Sequence, residues 1–225
     1  MICIIFDLDG TLTDSAKGII TSIKYALDKK GAPIPDDATL QLFLGPPMLE
    51  SLQEHCHMSL EEAQETYGYF KERYESIGKF ENEVYPDIER MLVTLRQTNT
   101  YVAVATAKPE HLAREILEHF NLTKYFEVIK GANVDQGLVH KEDILNETIK
   151  ELKEMSNSRV KKNITSWYMV GDRKYDILAA KALGCRALGV TYGYGTREEL
   201  EAAKPDYLCD NPHDLVLQIA VDTLL

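Results

Sequence analysis

The chain has 225 residues and lacks several features that would point to particular functions. Its four cysteines, Cys3, Cys56, Cys185 and Cys209, are scattered and form no CxxC pair. That argues against a disulfide scaffold and against a thiolate metal site. Cys3, Cys185 and Cys209 sit in or beside apolar strand patterns, so buried reduced thiols and a cytoplasmic location are expected. No apolar run approaches the ~18 residues of a membrane span, so no membrane partner is expected. The start has no basic stretch followed by an apolar one, and no signal peptide is expected. Positive charge is scarce: 25 Lys and Arg stand against 36 Asp and Glu, a net −11. Nucleic acid, which needs a basic face, is therefore not an expected partner. An anionic substrate would be repelled at long range unless local cations reverse the field. Neither GxGxxG nor GxxxxGK(S/T) occurs, and VTYGYGT (190–196) reads as a loop beside a site rather than a phosphate cradle. No internal repeat or low-complexity tract is present.

What remains is the composition of an ordinary globular chain, 44% hydrophobic and 27% charged, long enough for one sizeable core and a small insertion. Short apolar runs predict strands at 2–6, 101–106, 127–131, 166–171, 186–190 and 206–209. Helical patterns fall between them at 87–97, 110–120, 141–155, 175–184, 197–203 and 213–222. Gly184 occupies a helix C-cap position. Apolar runs of four to six residues alternating with helices predict an α/β fold, a doubly wound (Rossmann-like) parallel sheet.

Residues 15–83 break that rhythm. They contain no convincing strand and read as helices: AKGIITSIKYALDKK, TLQLFL, PMLESLQEHC and SLEEAQETYGYFKERYESI. Ser59 and Glu62 form a capping box before the last of these. About 70 residues is too long for a strand-to-helix connection. The expected organisation is an α/β catalytic core of residues 1–14 and 84–225, with an inserted helical cap domain over 15–83. GAPIPDD (31–37) and GPP (45–47) are read as turns.

The chemistry concentrates at strand ends. The first strand runs into Asp7, Asp9, Gly10 and Thr11. Two carboxylates this close repel, so something must offset them. The second strand ends in Thr106, Ala107 and Lys108, a later helix starts at Lys141, and GDRKYD supplies Asp172 and Asp176. In a parallel sheet these ends converge on one edge. Four carboxyl groups there suit a hard divalent cation held by oxygens, and Mg²⁺ fits best. With a hydroxyl and a lysine the set matches the needs of phosphoryl transfer.

DLDGTLTDS, VATAK, the His140-Lys141 pair and GDRKYD resemble, in order, the four motifs of the haloacid dehalogenase-like superfamily of phosphatases. The resemblance spans the chain and includes a helical C1-type cap after the first motif. It implies that Asp7 is a nucleophile forming an aspartyl-phosphate. It implies that Asp9 is the general acid and then the base. Asp7, Asp9 (through its carbonyl), Asp172 and Asp176 would serve Mg²⁺, the last through water. Thr106, with Gly10, Ala107 and Lys108, would hold phosphate, and Lys141 would pair with Asp7 and the phosphate. Where the family often has Lys-Pro this chain has Lys141-Glu142, and Lys108 is the alternative lysine. The acid at Asp9 favours ester chemistry over dehalogenation, since a halide needs no proton.

FLGPPMLESL, FENEVYPDIERML and GYGTREELEAAKPDYLCDNP resemble the phosphoglycolate phosphatase-like or 5′-nucleotidase-like subgroup, with Gly45, Pro46 and Pro47 in a cap loop. The implied activity is hydrolysis of a small phosphorylated metabolite, phosphoglycolate or a nucleoside 5′-monophosphate, by a monomer or homodimer. A sugar phosphomutase of the same superfamily and a receiver-like regulator are the alternatives. Free phosphate release separates them. Two other features have plainer readings. His55-Cys56-His57 on a helix points its histidines apart, which disfavours a metal site. Tyr67, Tyr69, Phe70 and Tyr74 read as packing between cap helices.

Overall fold

A computed structural model describes residues 1–98, 100–159 and 164–224. The chain divides into two compact units: Met1–Leu12 with Val84–Leu225, and Thr13–Glu83.

The larger unit is a six-stranded sheet with helices on both faces. Its strands are β1 (Ile2–Phe6), β4 (Thr100–Pro109), β5 (Val128–Ala132), β6 (Ser166–Gly171), β7 (Arg186–Val190) and β8 (Tyr207–Cys209). The order is β5-β4-β1-β6-β7-β8, and every pairing is parallel. The chain therefore runs outward from β1 through β4 to β5, then returns to the other side of β1 for β6. That reversal beside β1 is a topological switch point, where open α/β sheets bind ligands at the carboxyl ends of their strands.

Period-two alternation sorts the strand residues onto two faces. Ile4, Phe6, Val102, Val104, Tyr168 and Val170 join one core, while Cys3, Ile5, Ala103, Ala105 and Met169 join the other. The first core is covered by α5 (Ile88–Gln97), α6 (Glu110–His119) and α10 (Pro212–Leu224). The second is covered by α7 (Lys141–Arg159), α8 (Lys174–Ala182) and α9 (Arg197–Ala203). Continuous apolar runs such as ICIIF are thus explained by burial on both faces. Gly184 adopts φ +69° just past α8, as expected of a C-cap glycine.

The smaller unit contains α1 (Ala16–Lys30), α2 (Asp37–Gln41), α3 (Met48–Cys56) and α4 (Leu60–Ser76); the two-residue strand β2 (Thr13–Asp14) at its start pairs with β3 (Glu83–Val84), whose first residue is the unit's last. The Ser59–Glu62 capping box is present at α4 in both directions. One helix starts earlier than its apolar pattern suggests. Asp36, assigned to a turn, caps α2 by accepting the Thr39 N–H at 2.8 Å, and Asp37 lies inside the helix. Phe70 and Tyr74 are buried and stacked at 5.1 Å, while the Tyr69 hydroxyl donates to Glu65. His55 packs against Phe43, and His57 ends α3 in the left-handed region. Among the described residues, no helix is long and apolar enough to cross a membrane.

Candidate active site

The register of β1 sets the geometry. Phe6 is paired with Val104 on one side and Val170 on the other, so the next residue on each strand emerges at the same sheet edge. Asp7 follows Phe6, and its N–H still donates to Val170 O at 2.9 Å. Asp172 follows the last residue of β6, and Asp176 lies in the first turn of α8. Asp7, Asp172 and Asp176 offer carboxylate oxygens that all lie within 4.8 Å of one another, and all three residues are buried.

Lys141, at the start of α7, enters this cluster. Its Nζ lies 2.7 Å from Asp7 Oδ2 and 2.9 Å from Asp176 Oδ1, and it donates to Ala105 O at 3.1 Å. Burial alone would push the amine down. The Asp176 and Asp7 carboxylates outweigh that and hold it above its ordinary value. A cation at a helix N-terminus is poorly placed against the dipole, and the two buried carboxylates supply the compensation. Lys108 takes the other acid: its Nζ is 2.9 Å from Asp9 Oδ2, with both side chains largely buried. The two lysines named in the sequence thus have separate carboxylate partners.

The remaining acid is less well compensated. Asp172 accepts the Thr11 hydroxyl at 3.1 Å and the Tyr194 N–H at 2.8 Å. Burial, then the neighbouring Asp176 and Asp7, push its carboxyl up to about 8 against those two donors. Asp176 is also raised, first by burial and then by Asp7, although Lys141 pulls it down. One lysine among three buried carboxyl groups leaves net negative charge in low dielectric. A divalent cation with oxygen preference would relieve it, and this donor set fits Mg²⁺. The second oxygen of Asp9, Oδ1, is buried and accepts no hydrogen bond.

Thr106 is buried at the end of the regular part of β4, and its Oγ1 accepts the Lys108 N–H at 3.3 Å. The register shifts between Thr106 and Pro109, which turns Ala107 and Lys108 out of the regular ladder. Gly10 has φ +77°, and a Cβ there would fall 2.2 Å from Asp172 Oδ2, so only glycine allows the β1 turn to meet Asp172. Gly45 and Pro46 belong to the helical unit, between α2 and α3, and the acid site is built from the larger unit.

Several contributors went unassigned in the sequence. The sequence pattern puts loop 191–196 beside the site without singling out a residue in it. Its Tyr194 N–H holds Asp172, and the Tyr192 hydroxyl donates to Thr11 O at 3.0 Å. A Cβ on Gly193 would lie 2.2 Å from Gly10 O, so this glycine lets the loop close on the first turn. The available signal was the pair of glycines in TYGYGT, which marks a close backbone approach without saying to what.

A family model described as haloacid dehalogenase-like hydrolase matches residues 4–190. A Pseudomonas aeruginosa protein named 5′-nucleotidase is 36% identical over 206 residues, 92% of this chain and 90% of its own. A Mycobacterium tuberculosis protein named a tyrosine-protein kinase is 38% identical over 199 residues, 88% of this chain but only 65% of its own length. A Vibrio parahaemolyticus phosphoglycolate phosphatase is 30% identical over 226 residues, 97% of this chain and 96% of its own. A solved structure described as a predicted phosphatase from Clostridium acetobutylicum matches with TM-score 0.87 and 38% identity over 97% of this chain and 98% of that one. With an acid cluster at the switch point of a parallel α/β sheet and a family match over most of its length, the chain belongs to the haloacid dehalogenase-like hydrolases.

Proposed function

We propose that this hydrolase is a Mg²⁺-dependent phosphomonoesterase acting on a small phosphorylated metabolite, phosphoglycolate or a nucleoside 5′-monophosphate, through an aspartyl-phosphate. The observation that carries the reading is the convergence of Asp7, Asp172 and Asp176 within 4.8 Å, with Lys141 bridging Asp7 and Asp176. Asp7, Asp172 and Asp176, with the Asp9 carbonyl, would hold Mg²⁺. When bound, the cation supplies charge neutralisation for the phosphoryl oxygens.

This chain's own residues do the rest. One Asp7 oxygen accepts the Leu8 N–H at 2.7 Å and the other pairs with Lys141, which fixes the carboxylate for attack on phosphorus. As the P–O bond to the leaving alcohol breaks, Asp9 gives that oxygen a proton. Asp9 then takes a proton from the water that cleaves the aspartyl-phosphate, releasing phosphate and restoring Asp7. Its unpartnered Oδ1 suits an atom waiting for a partner from the substrate. Lys141, Lys108, Thr106 and the backbone near Gly10 and Ala107 provide the local positive and hydrogen-bonding field that a chain of net charge −11 otherwise denies an anion. The helical unit, with Gly45 and Pro46, would act as the cap that selects the leaving group.

The relatives named 5′-nucleotidase and phosphoglycolate phosphatase support the two substrate classes. The test is Mg²⁺-dependent phosphate release from phosphoglycolate, nucleoside 5′-monophosphates, sugar phosphates and nitrophenyl phosphate. One ester well above the rest names the substrate. No release from any ester, with phosphate instead moved between positions of a sugar or held on Asp7, would overturn hydrolysis in favour of the mutase or regulator. Asp9→Asn should slow esters of poor leaving groups more than nitrophenyl phosphate; equal losses on both contradict its acid role.

A further inference from the structure

We propose that Glu199 is a positioning residue for the cation site: it clamps the turn that carries Asp172 and Asp176. The inference rests on the reading of that site as a Mg²⁺ centre. Asp172 precedes α8 and Asp176 lies in its first turn, so the separation of their carboxylates depends on how Arg173 and Lys174 are held. The first N–H groups of a helix have no partner within it and need acceptors. Asp176 Oδ2 accepts the Arg173 N–H at 3.1 Å. Glu199 Oε1 accepts the Lys174 N–H at 2.9 Å and the Arg173 Nε–H at 2.9 Å. One carboxylate oxygen from α9 therefore grips both the backbone and the side chain between the two aspartates.

Glu199 is itself fixed to the same site. Thr196 caps α9 by accepting the Glu199 N–H at 3.1 Å. Thr196 ends the loop whose Tyr194 N–H holds Asp172 Oδ2 at 2.8 Å. The chain of contacts runs from Asp172 through Tyr194, Thr196 and Glu199 to Lys174, and back along two peptide units to Asp172. Glu199 closes the circuit. An exposed ion pair would count for little. Here the Arg173 and Glu199 side chains are only 11% and 20% exposed, and the acceptor also satisfies a helix N-terminus. Burial pushes the Glu199 carboxyl up, but Arg173 and the Lys174 N–H outweigh it and keep it below its usual range. Partners of this kind, behind the ligands of a metal, typically change affinity ~10- to 100-fold when removed.

The experiment is Mg²⁺ titration by calorimetry of the full chain and its Glu199→Ala, Glu199→Gln and Glu199→Asp variants, with folding checked by circular dichroism. Glu199→Ala should weaken Mg²⁺ about 10-fold or more. Glu199→Gln should stay within about threefold of wild type, because its amide oxygen can accept both N–H groups. Glu199→Asp keeps the charge but falls one methylene short, and it should weaken with the alanine variant. If Glu199→Ala fails to fold, the Asp and Gln variants carry the test. Wild-type affinity in Glu199→Ala or Glu199→Asp, or a Gln variant as weak as Ala, overturns the clamp while leaving the Mg²⁺ reading intact. Absence of wild-type binding overturns both.

Discussion

Two regions of this molecule handle charge in opposite ways. At the carboxyl edge of the sheet, Asp7, Asp172, Asp176, Lys108 and Lys141 are all buried. In the helical unit three ion pairs, Lys24–Asp37, Lys29–Glu72 and Lys30–Glu65, include side chains that solvent reaches, and the Arg73–Glu81 pair is half-buried. Burying a charge carries a desolvation cost of several kcal/mol, whereas an exposed pair gains and loses little. A fold seeking only stability would place its charges as the helical unit does. The proposed phosphoryl-transfer site at the sheet edge would require that cost, since it depends on fixed charges in low dielectric.

The sharpest way to break this comparison is to remove the proposed nucleophile. Asp7→Asn should reduce phosphate release by about 10³-fold or more while the fold persists, since the amide cannot form an acyl-phosphate. Substantial residual turnover would place the nucleophile elsewhere. Next comes Lys141→Met, which leaves Asp7 and Asp176 without their shared cation. It should cost about 3–5 kcal/mol in urea unfolding, with Mg²⁺ recovering part of the loss. A change under 1 kcal/mol would show that water, not burial, governs the edge.

A smaller effect follows from Asp172. Its folded value, about 8, lies far above that of the unfolded carboxyl, 3.8. As pH rises between those values, the metal-free native state holds a proton that the unfolded chain has released. This group therefore withdraws stability from the metal-free protein as pH rises. Mg²⁺, which binds the ionised form, should raise Tm more at pH 8 than at pH 6. A constant increment at both values would contradict the shift. The smallest effect belongs to the helical unit: Lys29→Ala should leave the melting curve indistinguishable from wild type, despite the 2.6 Å contact with Glu72.

The sequence showed much of this because its signals are local. The strand β1 and its acids follow each other within nine residues, so a buried run ending in Asp7 and Asp9 needs no tertiary information. The Ser59–Glu62 box closes within one helical turn, and Arg186–Val190 and Arg197–Ala203 have the bounds their patterns imply. Parallel order followed from the alternation of buried strands with helices.

Tertiary structure decided the pairings. The motif resemblance puts Lys141 beside Asp7 and keeps Lys108 as the alternative, but the sequence assigns neither lysine a carboxylate by contact. The register shift in β4 sends Lys108 to Asp9, and the start of α7 delivers Lys141 to Asp7 and Asp176. Glu199 was one more acid on a short polar helix until the fold brought α9 against the start of α8. The physical reason is range. Propensity, capping and burial period act over a few residues, whereas the carboxylate that meets a given lysine is chosen by strand order, and strand order is a property of the whole sheet.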